Sequence, residues 1–319
     1  MSTYRLTSIL AFASFVAGWI PTSSHSVATS GPPASVLEQN GNANSIPAPL
    51  SDAEIRARAQ KLIANQHNDD DALEEYERVE HHLDRTGGAS PRTLEDKVYR
   101  VVPTGSGTLK ILVEDSGTPI NPAEYRRQLQ LWEEVLQLML NPNDARTKAA
   151  NEKFEKRKRD RADMVDAGNQ AFSPKWAGFE TRNGRVCYVF QLDPNPDFRP
   201  HSLFQDAMTH VSAKVWVDRD TNQMVRGEAR ILRDIYFGGG ILGKLYRGGS
   251  FSMDQAEVAP GIWLPTDYQY DFSGRKFLFS FEENQIIQAS HYRRVGPPKE
   301  ALAIVQDELA SGKGFSADP

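Results

Sequence analysis

Val211-Ser212-Ala213-Lys214-Val215-Trp216-Val217, then Asp218-Arg219-Asp220-Thr221-Asn222, then Met224 to Leu232: these three runs decide the fold. In the first, small or apolar residues hold the odd positions, the period of two that a strand needs when one face packs and the other meets water. Turn formers follow. In the third, Val225, Gly227, Ala229 and Ile231 share one face, while Arg226, Glu228 and Arg230 share the other. The three runs make a β-hairpin.

Working outward, the same alternation continues through Tyr246 to Met253, Ile262 to Phe272, Arg275 to Phe281 and Gln285 to Arg293. The expected turns are Ala259-Pro260-Gly261 and Ser273-Gly274. Ile262, Leu264, Tyr268, Tyr270 and Phe272 align on one face, opposed by Phe277, Phe279 and Phe281. Upstream, Asn183-Gly184 is a strong hairpin signal inside Phe179 to Leu192. Tyr76 to Leu83, Lys97 to Val102 and Thr108 to Val113 read as further strands, with a turn at Gly87-Gly88 after the first. Ser51-Asp52-Ala53-Glu54 is a capping box opening a helix striped by Ile55, Ala59, Leu62 and Ile63. Pro122 opens a second helix, whose stripe is Leu129, Trp132, Val135, Leu136 and Met139. Arg146 to Arg161 carries eight basic and three acidic residues on a polar helix. Such a run is usually a solvated face; its functional reading is contact with a membrane surface or a protein.

The chain has 319 residues, 39% hydrophobic and 25% charged, with a net charge of −5. That is a soluble globular composition without nucleic-acid bias. The single cysteine, Cys187, excludes an internal disulfide and any multi-cysteine metal site. Leu6 to Ile20 is an uncharged, mostly apolar run behind Arg5, ended by Pro21 and followed by Ser24, Ser26 and Ala28. It is shorter than the ~20 residues of a membrane span, so a cleaved signal peptide is expected over 1–28, an uncleaved anchor being the lesser alternative. The mature protein is then expected to be exported, soluble outside the cytoplasm. A disordered linker follows over 29–50. One domain fills 51–295 with a helical insert at 121–170, and a helix and frayed tail occupy 296–319.

Catalytic chemistry is not visible. The seven histidines stand in no metal-binding pair, and no Gly-x-Ser-x-Gly elbow occurs. Gly238-Gly239-Gly240 precedes Lys244, but Leu245 stands where a phosphate loop needs Ser or Thr, so the glycines mark a bend. Asp218 and Asp220 belong to a turn. The expectation is no enzyme, no metal and no cofactor.

The fold class expected is α+β: a strongly curved antiparallel sheet that wraps helices or leaves a hollow. Its apolar face is either a hollow that holds a greasy ligand or a filled core, and the residues leave both open. If hollow, Val215, Val217, Val225, Ile231, Leu264, Tyr268, Phe277 and Phe279 line it.

Five stretches carry a family resemblance. They are Asp193-Pro194-Asn195-Pro196-Asp197-Phe198-Arg199-Pro200, Val215-Trp216-Val217-Asp218, Val225-Arg226-Gly227-Glu228, Phe237-Gly238-Gly239-Gly240-Ile241-Leu242 and Ile262-Trp263-Leu264-Pro265-Thr266. Across roughly Leu73 to Val295 the chain resembles an acidobacterial-type family of uncharacterised exported proteins similar to outer-membrane lipoprotein-sorting (LolA-like) carriers. The resemblance implies that the curved sheet is a half-barrel, with helices packed on or covering its concave face and closing it over an acyl-chain cavity. The helical insert from Asn121 to Gln170 departs from a minimal carrier. The function expected is a monomeric, non-enzymatic periplasmic binder or carrier of lipid or of acylated protein. The alternative is a cell-envelope structural or interaction module with a filled core.

Overall fold

The computed structural model describes residues 49–86, 91–312 and 315; the expected leader, nearly all of the linker, the Gly87-Gly88 turn and most of the tail lie outside them. In chain order the elements begin α1 (Asp52–Leu73), β1 (Tyr76–Arg85), β2 (Thr93–Pro103), β3 (Thr108–Asp115) and β4 (Thr118–Pro119). Then come α2 (Pro122–Met139), α3 (Ala145–Ala171), β5 (Phe172–Arg182), β6 (Arg185–Pro194) and α4 (Leu203–Met208). The hairpin β7 (Val211–Asp218) and β8 (Met224–Ile231) follows, with the short β9 (Ile235–Phe237) and β10 (Gly243–Leu245). β11 (Ser250–Ala259), β12 (Ile262–Lys276), β13 (Phe279–Arg294) and α5 (Pro298–Ser311) complete the chain.

All thirteen strands join one antiparallel sheet in the order β4-β3-β2-β1-β13-β12-β11-β8-β7-β6-β5, with β10 paired to β12 and β9 to β10. The sheet does not close into a barrel. Its register sets Trp176, Phe190, Val215, Gly227, Met253, Tyr268, Ile287 and His82 in one cross-strand row, hence on one face. That face carries the larger core, to which α1, α3 and α4 contribute Ile55, Met164, Ala167, Ala207 and Met208. The capping box at Ser51 forms as expected: Glu54 N–H donates to Ser51 Oγ, and the Glu54 carboxylate accepts from Ser51 N–H.

The helices cover both faces, not the concave face alone. α2 and α5 pack on the opposite side of β1–β3, where Val102, Ile111, Leu129, Trp132, Leu136 and Val305 form a second core. The Trp132 indole N–H donates to Pro103 O at 3.1 Å. A buried ion cluster ties this layer together. The Arg100 guanidinium, 3% exposed, donates to Glu77 on β1 and Glu308 on α5 and to the Tyr125 hydroxyl on α2, all within 2.9 Å. Arg293 on β13 holds the other Glu77 oxygen at 2.6 Å.

Two turns differ from the sequence expectation. Ser273-Gly274 is not a turn; β12 runs straight through it. β10 lies against β12 at Gly274, where a Cβ would stand 2.4 Å from Lys244 O. The glycine serves close approach of backbone rather than chain reversal. The reversal is Phe277-Leu278, with Phe277 at φ +52. The run Tyr246 to Met253 is likewise broken, because Gly248 adopts φ +96 and Gly249 packs against the Phe272 ring.

Breaking the ion cluster from one side leaves charge buried without its partner, which costs about 3–5 kcal/mol. Arg100→Met is therefore expected to lower unfolding free energy by about that amount in urea melts, and Arg100→Ala, which also empties the packed stem, by more.

Candidate functional site

On the larger core face, α1 and α3 bridge the β5–β8 end of the sheet and leave an apolar cleft of about 160 Å³ beneath them. Its floor is Phe190, Leu192, Val215, Val217 and Met224; Ile55, Ala59, Leu62 and Ile63 come from α1 and Val165 from α3. The period-two pattern supplies the floor, and the α1 stripe supplies the roof. Arg58 sits at the rim, where it donates to the Tyr188 hydroxyl (2.8 Å) and Asn222 Oδ1 (2.9 Å) and stacks on the Tyr188 ring.

Charge holds the roof together. Arg161 of α3 meets Asp70 of α1 at 3.0 Å, and Lys158 meets Asp71 (2.8 Å) and Glu74 (3.3 Å). Half-exposed or less, Lys158 and Arg161 of the basic stretch 146–161 thus turn inward to α1, whereas Arg146, Lys148, Lys153, Lys156 and Arg159 are exposed. The acids crowd the C-terminal end of α1, the wrong end of the helix dipole for negative charge. Burial pushes Asp69 up to about 6, against the hydrogen bond its Oδ1 accepts from Trp263 N–H at 2.9 Å. Burial also raises Asp70 and Glu74, despite Arg161 and Lys158.

Of the eight residues expected to line a hollow, Val215 and Val217 line the cleft. Ile231 and Tyr268 share its face but are sealed in packed core, 2% and 4% exposed. Leu264 packs in a small separate cluster with Leu73 and Tyr76. Val225 lies on the other face with Cys187, Val189, Trp216 and Trp263, because a β-bulge between Trp216 and Val217 shifts the register there. Phe277 and Phe279 stand exposed at the β12–β13 turn. The α1 and α3 contributions were missed because a helical stripe does not say which sheet face it meets.

At the β1 end the same face turns polar. Glu80, 4% exposed, accepts from Arg78 (2.7 Å), His82 Nε2 (2.7 Å) and Lys110 (3.4 Å). Burial alone would raise Glu80, but Arg78 and Lys110 outweigh it and hold the carboxyl well below its usual range. Burial lowers His82 and Lys110. Arg78, Glu80, His82 and Lys110 line neither the cleft nor the open trough of about 600 Å³ on the opposite face. That trough is lined by Arg85, Lys214, Arg226, Glu228, Arg230 and Asp271 among others.

Asp218 caps its turn, Oδ1 accepting from Asp220 N–H, Thr221 N–H and the Thr221 hydroxyl within 3.0 Å. Cys187 is a buried free thiol. Among the described residues, no three metal-ligating side chains gather, and no helix is long and apolar enough to cross a membrane.

No family model matches the sequence, and no curated protein matches it. Among solved structures, the chain is similar to a DUF1329 family protein from Desulfovibrio piger, with a TM-score of 0.30 and 13% identity over 75% of this chain and 92% of that one. It is similar to a domain assigned to outer membrane lipoprotein sorting from Vibrio parahaemolyticus (TM-score 0.31, 10% identity, 79% and 99% covered). A LolA superfamily protein from Nitrosomonas europaea gives 0.29 and 12% over 76% and 96%.

The raised Asp69 fixes a pH dependence. Its folded pKa of about 6 exceeds the unfolded value, so the folded state takes up the proton first as pH falls, and stability rises from pH 7 toward pH 4. Urea midpoints are expected to show a gain of about 1 kcal/mol between pH 7 and pH 5 from this group, and Asp69→Asn to remove that increment.

Proposed function

We propose that the protein is a non-enzymatic binder of an amphiphile, exported to the periplasm, whose apolar tail enters the cleft under α1 and α3. The observation that carries the reading is the cleft itself: a floor of Phe190, Leu192, Val215, Val217 and Met224 under a roof of α1 and α3 side chains. Arg58, half-buried at the rim, is the charged group beside which a polar head would stay in contact with water, while Asp70 is buried in the wall against Arg161. A lipid or an acylated protein meets this description, in keeping with the carriers that the sequence resembles.

The resting cleft is smaller than the ~300–1,000 Å³ of most ligand pockets. Accommodation of a long tail therefore requires α1 and α3 to part, which would break the contacts of Lys158, Arg161 and Asp166 on α3 with Asp71, Glu74, Asp70 and His67. The same small volume favours the second reading, an envelope interaction module with a filled core and no ligand.

The two readings separate on one measurement. Binding of a fluorescent long-chain fatty acid is expected to saturate, and Ala59→Trp, which fills the cleft from α1, is expected to weaken it about tenfold or more with the melting temperature held. Absence of saturable uptake, together with no copurifying lipid in native mass spectrometry of the periplasmic protein, selects the filled-core module.

A further inference from the structure

At one end of the sheet, large apolar side chains face solvent where packing gives them nothing to do. Ile241 is 76% exposed, Leu278 88% and Phe279 76%, with Tyr236, Leu242 and Phe277 about half exposed. Two chain segments meet there: the β9–β10 connection through Gly238–Gly240, and the β12–β13 turn. β10 pairs with β12 from Gly243–Lys276 to Leu245–Gly274, and Phe277 N–H donates to Leu242 O at 3.3 Å. The six side chains therefore form one tip, built on paired strands.

The turn chemistry argues that the exposure is selected. Two-residue hairpin turns favour Asn-Gly because their central residues take positive φ. The β5–β6 hairpin of this chain obeys, with Asn183 at φ +49 and Gly184 at φ +77. The β12–β13 hairpin instead places Phe277 at φ +52, next to the most exposed large hydrophobic residue of the described chain, Leu278. A bulky residue in that conformation carries a conformational cost, and Phe277 gains only about half burial in return.

Charge identifies what covers the tip. From Tyr236 to Leu245 and from Gly274 to Phe281 there is no Asp or Glu; Lys244 is paired to Asp234 at 2.7 Å, so Arg275 and Lys276 supply the cations of the tip, in a chain of net charge −5. A second copy docked patch to patch would set these cations against their own equivalents. An anionic lipid surface accepts both features, apolar side chains below the headgroups and cations among them. We infer that the Phe277-Leu278-Phe279 turn, with Ile241 and Leu242, is a membrane-docking tip for anionic bilayers. It stands independently of the cleft and needs no ligand there.

Cys187 is fully buried, so a thiol placed at the tip is the reactive one. The full chain carrying Leu278→Cys, labelled with an environment-sensitive fluorophore, is mixed with phosphatidylethanolamine vesicles holding about one-quarter phosphatidylglycerol. The expected result is a blue shift at residue 278, none for the same label at Lys175→Cys, and about tenfold more vesicle needed once Arg275→Glu and Lys276→Glu are added. A label that stays in water at residue 278 overturns the proposal. So does a blue shift that needs no vesicles and grows with protein concentration, which marks self-association, or one that the charge reversals leave unchanged. Fatty-acid uptake by the cleft is unaffected by any of these outcomes.

Discussion

The sheet runs open from β4 to β5, so it has two faces, and both carry apolar side chains that must leave water. Each long helix answers that constraint at a different place. α1 and α3 cover the β5–β8 end of one face, and α2 and α5 cover the β1–β3 end of the other. Among the central strands β12 meets the C-terminal end of α1, through Leu73–Leu264 packing and the Asp69–Trp263 hydrogen bond; elsewhere on the first face Met253, Tyr268 and Ile287 pack against one another, and on the second Glu228, Ser252 and Gln269 are partly or fully exposed. Offset of the two helical layers is why one chain holds a packed core, an apolar cleft and an open polar trough.

The layers are fastened by different means, and this bears on what can move. α2 and α5 are sewn down by a buried network around Arg100 in addition to a filled core with Trp132 at its centre. α1 and α3 meet over a partly empty cleft through ion pairs that are 11–63% exposed on the acid side. The exposed Lys158–Asp71 pair contributes little to stability and responds to salt, whereas Arg161–Asp70 is largely buried. The roof of the cleft is thus the compliant part of the fold, and the Arg100 layer the rigid one.

The strands were legible because period two survives wherever a strand packs on one side only; β7, β8, β11 and β12 all show it. The errors have specific causes. Val225 was assigned to the wrong face because the bulge opposite Trp216 consumes one residue, invisible in a pattern of apolar letters. Gly274 passed for a turn because the sequence does not show that β10 will lie against it. Phe277-Leu278 passed for strand because a turn built of bulky apolar residues breaks the rule by which turns are recognised. Local rules fail most informatively where something other than stability sets the residue, and this turn is such a place.

Apolar continuity joins the tip to the cleft, yet it does not make a passage. Ile235, Phe237 and Leu245, on the inward side of the tip, belong to the same core as Val215 and Val217. Between them stand Ile231, Phe251, Tyr270 and Phe272, each at most 8% exposed. A tail travelling from tip to cleft would have to displace them at the cost of opening a close-packed interior. For the proposed ligand the less costly route is between α1 and α3, where ion pairs and aliphatic contacts would have to yield. On the proposed function, docking at the tip and loading of the cleft are then separate events, with the tip holding the protein at a surface and the parting of the helices admitting a tail.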